Sequence, residues 1–460
     1  MSNRYEMDMC SGPLFGKMLR FALPLVASGI LQLLFNAADI VVVGRFAENG
    51  NDALAAVSST GALINLIVNL LTGVSVGASV VVSRSFGAGN KEAVSRAVHT
   101  AISVAAVGGV IFGIFGFLTC GHFLAMMDSP PSVLPLSTLY VRIYFCGLPV
   151  MMLYNFGAAV LRAVGDTRRP LIYLTLAGIL NVVLNMIFVI CFDMGVAGVG
   201  LATTLSQCLS CVLVLRCLMV NGGTVKLSLK NLRIYGAELL QIIRVGLPAG
   251  VQGSLFSVSN VLIQSSINGF GNVVMAGNGA AANIEGFVYI AMNSFHHTAL
   301  NFTGQNAGAG KLDRVRRVAL ISAVTVTVVG GGLGLLCYLA AEPLLGIYRP
   351  GEMEVIAAGI ERMKYVCVPY FLCGLMEILV GVMRGLGHSV VPMIVSLLGA
   401  CGFRILWIYT IFAANPTADV LYFSYPVSWL VTVLGHTVCF IFAYRSLKRR
   451  QAAALSSLPA

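Results

Sequence analysis

The sequence predicts an all-α polytopic membrane protein of twelve transmembrane helices, set out as two six-helix bundles that are parallel repeats of one another. Three observations carry this. The 460-residue chain is 58% hydrophobic and only 10% charged, where a soluble domain carries roughly 25% charged residues. Its mean hydropathy is +0.88, and apolar runs of the roughly 20 residues needed to cross a bilayer recur along its whole length. Its motifs also return in order. Arg20-Phe-Ala-Leu-Pro24 reappears as Arg244-Val-Gly-Leu-Pro248, Gly87-Ala-Gly-Asn-Lys91 as Gly308-Ala-Gly-Lys311, and Leu161-Arg-Ala-Val-Gly165 as Met383-Arg-Gly-Leu-Gly387, at offsets of 224, 221 and 222 residues.

The first set of spans falls near 15–44, 53–82, 94–120, 132–160, 171–192 and 196–219, the second near 239–268, 274–303, 317–341, 355–383, 390–413 and 418–445. These runs are too long and too uniformly apolar for the short alternating strands of a membrane barrel. The expected organisation is a lobe over 1–220, a cytoplasmic linker over 221–238 and a second lobe over 239–460. Six spans per half insert both halves in the same sense, so an axis along the membrane normal relates them. Most of the lysines and arginines fall on one side if the N-terminus is inside: Lys17 and Arg20, Lys91 and Arg96, Arg168 and Arg169, Lys226 and Lys230, Arg314 and Arg317, and Lys448 to Arg450. The positive-inside rule then places both termini in the cytoplasm. The net charge of +11 expresses this bias. No basic run is interleaved with aromatics, so no nucleic-acid partner is expected.

The start of the chain lacks the pattern of a cleavable signal, so the first helix is expected to be retained. No stretch is large enough for a separate soluble domain, which argues against a nucleotide-driven pump. Cys208 and Cys211 form a C-x-x-C on a predicted helix without His or further Cys partners, and are read as apolar packing. Gly195-x-x-Gly198-x-Gly200 is not a phosphate loop, since no strand precedes it. No arrangement of an enzyme's nucleophile and base is present. A duplicated polytopic chain is a common build of secondary transporters, and that is the leading expectation.

Charges inside spans are costly and mark function by default. Three acids qualify: Asp39 in the first span, Glu285 in the eighth and Glu377 in the tenth. A carboxylate in low dielectric can exchange a proton, or hold a cation when neighbouring oxygens help. The alternative for Asp39 and Glu377 is a permanently hydrogen-bonded acid joining two helices, and for Glu285 a place near the outer interface. Asn181 and Asn185 are one helical turn apart and share a face, and Thr203 and Thr204 stand near the start of the sixth span. The second half offers Gln252, Asn260, Gln264, Asn293, His296, His297, Asn301 and Gln305. Singly, such amides serve equally as helix-to-helix hydrogen bonds.

Read together, several strings resemble the multidrug and toxic compound extrusion (MATE) family. They are Leu34-Phe-Asn36-Ala-Ala-Asp39-Ile-Val-Val-Val-Gly44, Ser83-Arg-Ser-Phe-Gly-Ala-Gly89, Leu161-Arg-Ala-Val-Gly-Asp166, Gly198-Val-Gly-Leu-Ala-Thr203, Gly304-Gln-Asn-Ala-Gly-Ala-Gly310 and Met383-Arg-Gly-Leu-Gly387. The resemblance runs from Leu19 to Arg450, and Met376-Glu377 before the Arg-Gly motif is similar to Firmicutes-type members. It implies two six-helix lobes in a V and export of amphipathic, mostly cationic drugs in exchange for protons or sodium, without a cofactor. Asp39, Asn181, Asn185 and Thr203 match the family's cation-coupling positions. Asp39 and Asn181 would ligate the ion directly if it is sodium. Some members carry a carboxylate at the position of Asn185, and one branch has a glutamate in the seventh helix, where Gln252 to Gly269 holds no acid. The expected substrate contacts are Glu285, Glu377, Asn36, Asn260, Gln252 and Gln305.

The resemblance further implies a multi-pass protein of the plasma membrane whose partners are small organic cations and the lipid bilayer, complete as a monomer. The competing reading within the same superfamily is a lipid-linked precursor flippase. Its pyrophosphate headgroup calls for several buried arginines or lysines, and only Arg404, Arg142 and Arg362 are candidates.

Overall fold

In a computed structural model of the chain, residues 6–46, 50–126, 133–220 and 223–456 are described. Residue 132, at the start of the expected fourth span, and residues 221 and 222, which open the expected linker, lie outside them.

The first half holds α1 (Leu14–Phe46), α2 (Gly50–Gly87), α3 (Lys91–Met126), α4 (Leu134–Ala163), α5 (Arg168–Met186) and α6 (Gly195–Val220). The second holds α7 (Gly236–Asn268), α8 (Asn272–Gly308), α9 (Leu312–Leu339), the short α10 (Ala341–Tyr348), α11 (Met353–Val366), α12 (Tyr370–Gly385), α13 (Val390–Ser396), α14 (Phe403–Trp407) and α15 (Ala418–Ser456). No strand occurs among the described residues. Each expected span corresponds to one helix or one chain of helices. Among the described residues ten helices are apolar and long enough to cross a membrane, and the pair α11–α12, bent by 46°, makes an eleventh. The bend falls where Pro369 withholds a backbone N–H.

The helix over the remaining expected span, α8, is continuous but too polar to pass the same test. Most of its polar residues are turned inward instead: Asn278, Glu285, His296, Asn301 and Gln305 are all buried. The surface of α9 is the opposite, with Leu320, Val324 and Val328 exposed at four-residue spacing. An apolar outside and a polar, hydrogen-bonded inside is the arrangement a bilayer favours. The protein is a multi-pass membrane protein.

The chain packs as two compact units. One comprises the segment ending at Asp8 with Leu23–Gly250, the other Met9–Ala22 with Val251 onward. The core of the first is built from α2, α3, α4 and α6, around Val81, Val98, Phe145, Phe156 and Val214. Glycine lets its backbones nearly touch. A Cβ on Gly73 would lie 2.1 Å from the Gly250 nitrogen, and one on Gly77 would lie 2.2 Å from the Ile242 carbonyl oxygen. The core of the second is built around α8, α12 and α15, with Met292, Phe295, Ile378, Tyr422 and Trp429.

The segment after α6 is docked on the first unit. Val225 and Leu227 are buried, the Ser228 N–H donates to His99 Nε2 at 3.1 Å, and the Tyr235 N–H donates to Thr100 Oγ1 at 3.2 Å. Arg96 and Glu238 form an ion pair at 2.8 Å. Composition alone reads this segment as polar. Its two buried apolar residues and its backbone donors fix it in place.

Candidate functional site

In the first unit the packing of α1 on α5 sets the site. The Phe35 ring occupies the space that a Cβ on Gly178 would fill, at 1.8 Å. One turn further on α1 is Asp39, and two turns further on α5 is Asn185. Asn185 Nδ2 donates to Asp39 Oδ1 at 2.5 Å and to Asn181 Oδ1 at 3.3 Å. Asn181 Nδ2 in turn donates to Thr203 Oγ1 on α6 at 3.4 Å. The four residues of the expected coupling site therefore form one hydrogen-bonded chain across three helices. Asn185 is fully buried, and its Oδ1 has no partner among the described residues.

Two features of this site carry no motif. Tyr140 on α4 is packed against the apolar cluster that follows Asp39. One turn past Asp39, Val42 and Val43 pack with Val189, Val196 and Val199, with Tyr140 against them, so apolar side chains close that flank against water. α5 passes into a π-helical turn, Ile187–Cys191, directly after Asn185; such turns are common at functional sites. Asn36, expected at the substrate, is exposed one turn before Asp39. The donor set of a carboxylate, two amide oxygens and a hydroxyl suits a hard cation, and the unpartnered Asn185 oxygen is an acceptor that a proton donor or cation would satisfy.

In the second unit each of the two acids has a side-chain partner. Glu285 and Arg362 form a two-point ion pair, Nε to Oε1 at 2.8 Å and Nη2 to Oε2 at 2.7 Å, with both residues buried. Arg362 Nη1 also donates to Asn278 Oδ1 at 2.7 Å, and Asn278 Nδ2 donates to Gln264 Oε1 at 3.0 Å. The Arg362 guanidinium lies over the rings of Tyr422 and Tyr425. Glu377 pairs with His296 in two ways, carboxylate to Nδ1 at 3.2 Å and carbonyl to Nδ1 at 2.7 Å.

The expected glutamines are similarly engaged. Gln252 Oε1 accepts from Arg384 Nη2 at 3.0 Å, and its Nε2 donates to Ser396 Oγ at 3.2 Å, which is 2.9 Å from His436 Nε2. Gln305 Oε1 accepts from the Met9 N–H at 3.3 Å, beside Asn306 and Arg314, which donate to the Met9 carbonyl. Asn260 is exposed. The structure thus gathers Asp39, Asn181, Asn185 and Thr203 into one site, and places Glu285, Glu377, Gln252 and Gln305 in separate polar clusters. The partners Asn278 and His436 escaped the sequence reading, which held Arg384 only as part of a repeated motif and Arg362 only as a candidate for an anionic headgroup. Their signal was chemical: a charge inside a span is rarely left unpaired.

The duplication is visible in comparison with known proteins. The MatE family model matches residues 24–187 and again 248–410. The chain belongs to the MATE family. Its members are membrane transporters and not enzymes. Among curated relatives it is 26% identical over 393 residues to the probable multidrug resistance protein YoeA of Bacillus subtilis (strain 168), covering 84% of each chain. It is 24% identical over 347 residues to the FAD transporter of Shewanella oneidensis, covering 74% of this chain and 75% of the relative. Among solved structures, the outward-facing conformation of a MATE family multidrug resistance transporter of the MOP superfamily superposes with a TM-score of 0.86. That match has 20% identity and covers 99% of this chain and 100% of the other. The Firmicutes-type character suggested by Met376-Glu377 agrees with the Bacillus relative.

Proposed function

We propose that this MATE protein is a secondary active multidrug exporter that moves amphipathic, mostly cationic compounds outward in exchange for protons or sodium, by alternating access. The transport lobes are 1–220 and 239–460, joined by 221–238. The protein sits in the plasma membrane with both termini in the cytoplasm and works as a monomer. The observation that carries the reading is the chain Asp39–Asn185–Asn181–Thr203, whose buried Asn185 oxygen lacks a partner.

An ion drives transport only by preferring one conformation over another. A hundredfold preference amounts to about 2.7 kcal/mol, within the reach of one carboxylate. A proton on Asp39 removes the charge that Asn185 now answers. Sodium replaces the amide donors with a cation and turns the amide oxygens of Asn181 and Asn185 toward it. Either event rewires the contacts of α1, α5 and α6, and the substrate is released as that packing changes. Glu285, Glu377, Gln252, Gln305, Asn36 and Asn260 remain the substrate candidates, and a positive charge on Glu285's ligand has to compete with Arg362. The drug-resistance name of the Bacillus relative supports export, and that of the Shewanella relative widens the substrate class to phosphate-bearing compounds. These names do not favour a lipid-linked precursor flippase.

The test is dye transport by purified protein in liposomes, with sodium and proton gradients imposed separately. Transport that follows one gradient identifies the ion. Failure to follow either gradient, for any amphipathic cation, would sink the proposal.

A further inference from the structure

Arg404 stands on α14, a five-residue α-helical segment set between two π-helical turns, Leu397–Gly402 and Ile408–Phe412. It is 4% exposed. Its Nε donates to Ser428 Oγ at 2.9 Å, and its guanidinium lies 4.2 Å from the centre of the Tyr425 ring and 5.7 Å from that of Trp429. Among the described residues no carboxylate pairs with it, and its Nη groups meet no acceptor. Arg362 approaches the same Tyr425 ring at 5.4 Å, but Arg362 is matched by Glu285. Two guanidiniums and one carboxylate therefore share this region, leaving one positive charge over. One turn before Tyr425, Tyr422 is 1% exposed and its hydroxyl also lacks a partner among the described residues.

A guanidinium stays charged in a protein and presents five donors. Aromatic faces offset part of its desolvation, but they accept no hydrogen bonds from the Nη edge. The planar fork fits the two oxygens of a carboxylate or phosphate. We infer that Arg404 anchors an anionic oxygen group, a carboxylate or phosphate, on an amphipathic molecule held in the C-terminal unit. The transporter on this account takes zwitterions and organic anions in addition to cations. The inference gives a substrate class to the transport reading above and rests on it. An anionic lipid headgroup offers the same chemistry as the solute.

Rhodamine B, which carries a free carboxylate, and its cationic ethyl ester differ at that group alone. Binding of each to the full-length protein in phosphatidylcholine nanodiscs, read by fluorescence anisotropy, tests the anchor without needing ion-driven transport. The expected result is that Arg404→Gln weakens rhodamine B at least tenfold more than the ester, while Arg404→Lys keeps part of the preference. Trp407 and Trp429, the chain's two tryptophans, flank Arg404, so energy transfer from them to bound rhodamine B should fall in parallel. Phosphatidylglycerol in the discs competes with rhodamine B if headgroups occupy the anchor and leaves it unchanged if only solutes do; either supports an anion site. Wild-type protein that binds the two dyes alike, or equal losses for both in Arg404→Gln, would overturn it. Should Arg404→Gln fail to fold, the wild-type preference and its reduction in Arg404→Lys decide the matter. Binding that discriminates the dyes while no gradient drives transport would refute the export mechanism and leave the anchor standing.

Discussion

The two repeats keep the same turns and fill their interiors with opposite chemistry. At the end of α2, Gly89 has φ 69°, and at the end of α8 its counterpart Gly310 has φ 71°. After α4 and after α12, Gly165 and Gly387 have φ 96° and 87°. The hydrogen bonds around them also correspond: the N–H of Gly165 donates to the Arg162 carbonyl and that of Gly387 to the Arg384 carbonyl, at 3.0 and 2.8 Å. A left-handed backbone tolerates little but glycine, so these points resist change. The interiors do not. With the repeat offset of 222 residues, Asn181 and Asn185 align with Phe403 and Trp407, and Tyr140 aligns with Arg362. The first unit holds a carboxylate among amides and a hydroxyl. The second holds Arg362, Arg384 and Arg404 buried beside two glutamates. Duplication preserved the scaffold and let the interiors diverge, one keeping a lone carboxylate among amides while the other took on fixed charge.

The sharpest way to break this contrast is to leave one charge of the second unit unanswered. Arg362→Met strands Glu285 in the interior and should cost about 3–5 kcal/mol, seen as a large drop in the thermal unfolding midpoint. The double substitution Arg362→Met with Glu285→Met should recover most of the loss. The shared turns predict a smaller, paired effect. Gly387→Ala should cost about 1–2 kcal/mol from backbone strain alone. Gly165→Ala should cost more, because its Cβ would lie 2.5 Å from the Met7 Cβ; chemical unfolding of the two variants side by side checks the order. Smaller again, Thr203→Val removes one weak bond to Asn181. A typical bond contributes about 0.5–1.5 kcal/mol, so the half-saturating ion concentration should rise roughly two- to tenfold. The smallest change is expected for Glu377→Gln, since His296 keeps its bond to the residue's carbonyl: the unfolding midpoint should move by no more than a degree or two, about what a fraction of 1 kcal/mol produces in a large domain.

Much of the fold is legible in the sequence because lipid imposes length and apolarity on each helix, and because the Gly and Pro punctuation of the two halves is repeated. The hydrogen-bonded group around Asp39 was legible for a similar reason: Asp39 is a charge in an apolar run, and Asn181 and Asn185 share a face. Partner choice was not. Glu285 and Arg362 are 77 positions apart and nothing between them announces that they meet; the pairing arises only when α11 packs on α8. The docking of the segment after α6 was equally hidden, because its anchors, His99 and Thr100, lie on α3 far away in sequence. The polar interior of α8 shows the limit of hydropathy itself, since a helix surrounded by protein need not be apolar.

The central claim is that the ion acts through Asp39. The most direct measurement compares Asp39→Asn with wild type in the same proteoliposomes, reading both gradient-driven dye accumulation and dye exchange in the absence of any ion gradient. The account predicts at least a hundredfold loss of accumulation with exchange retained, because the substrate path stays intact while its drive is gone. Accumulation that persists in Asp39→Asn would contradict it and move the coupling site out of the first unit.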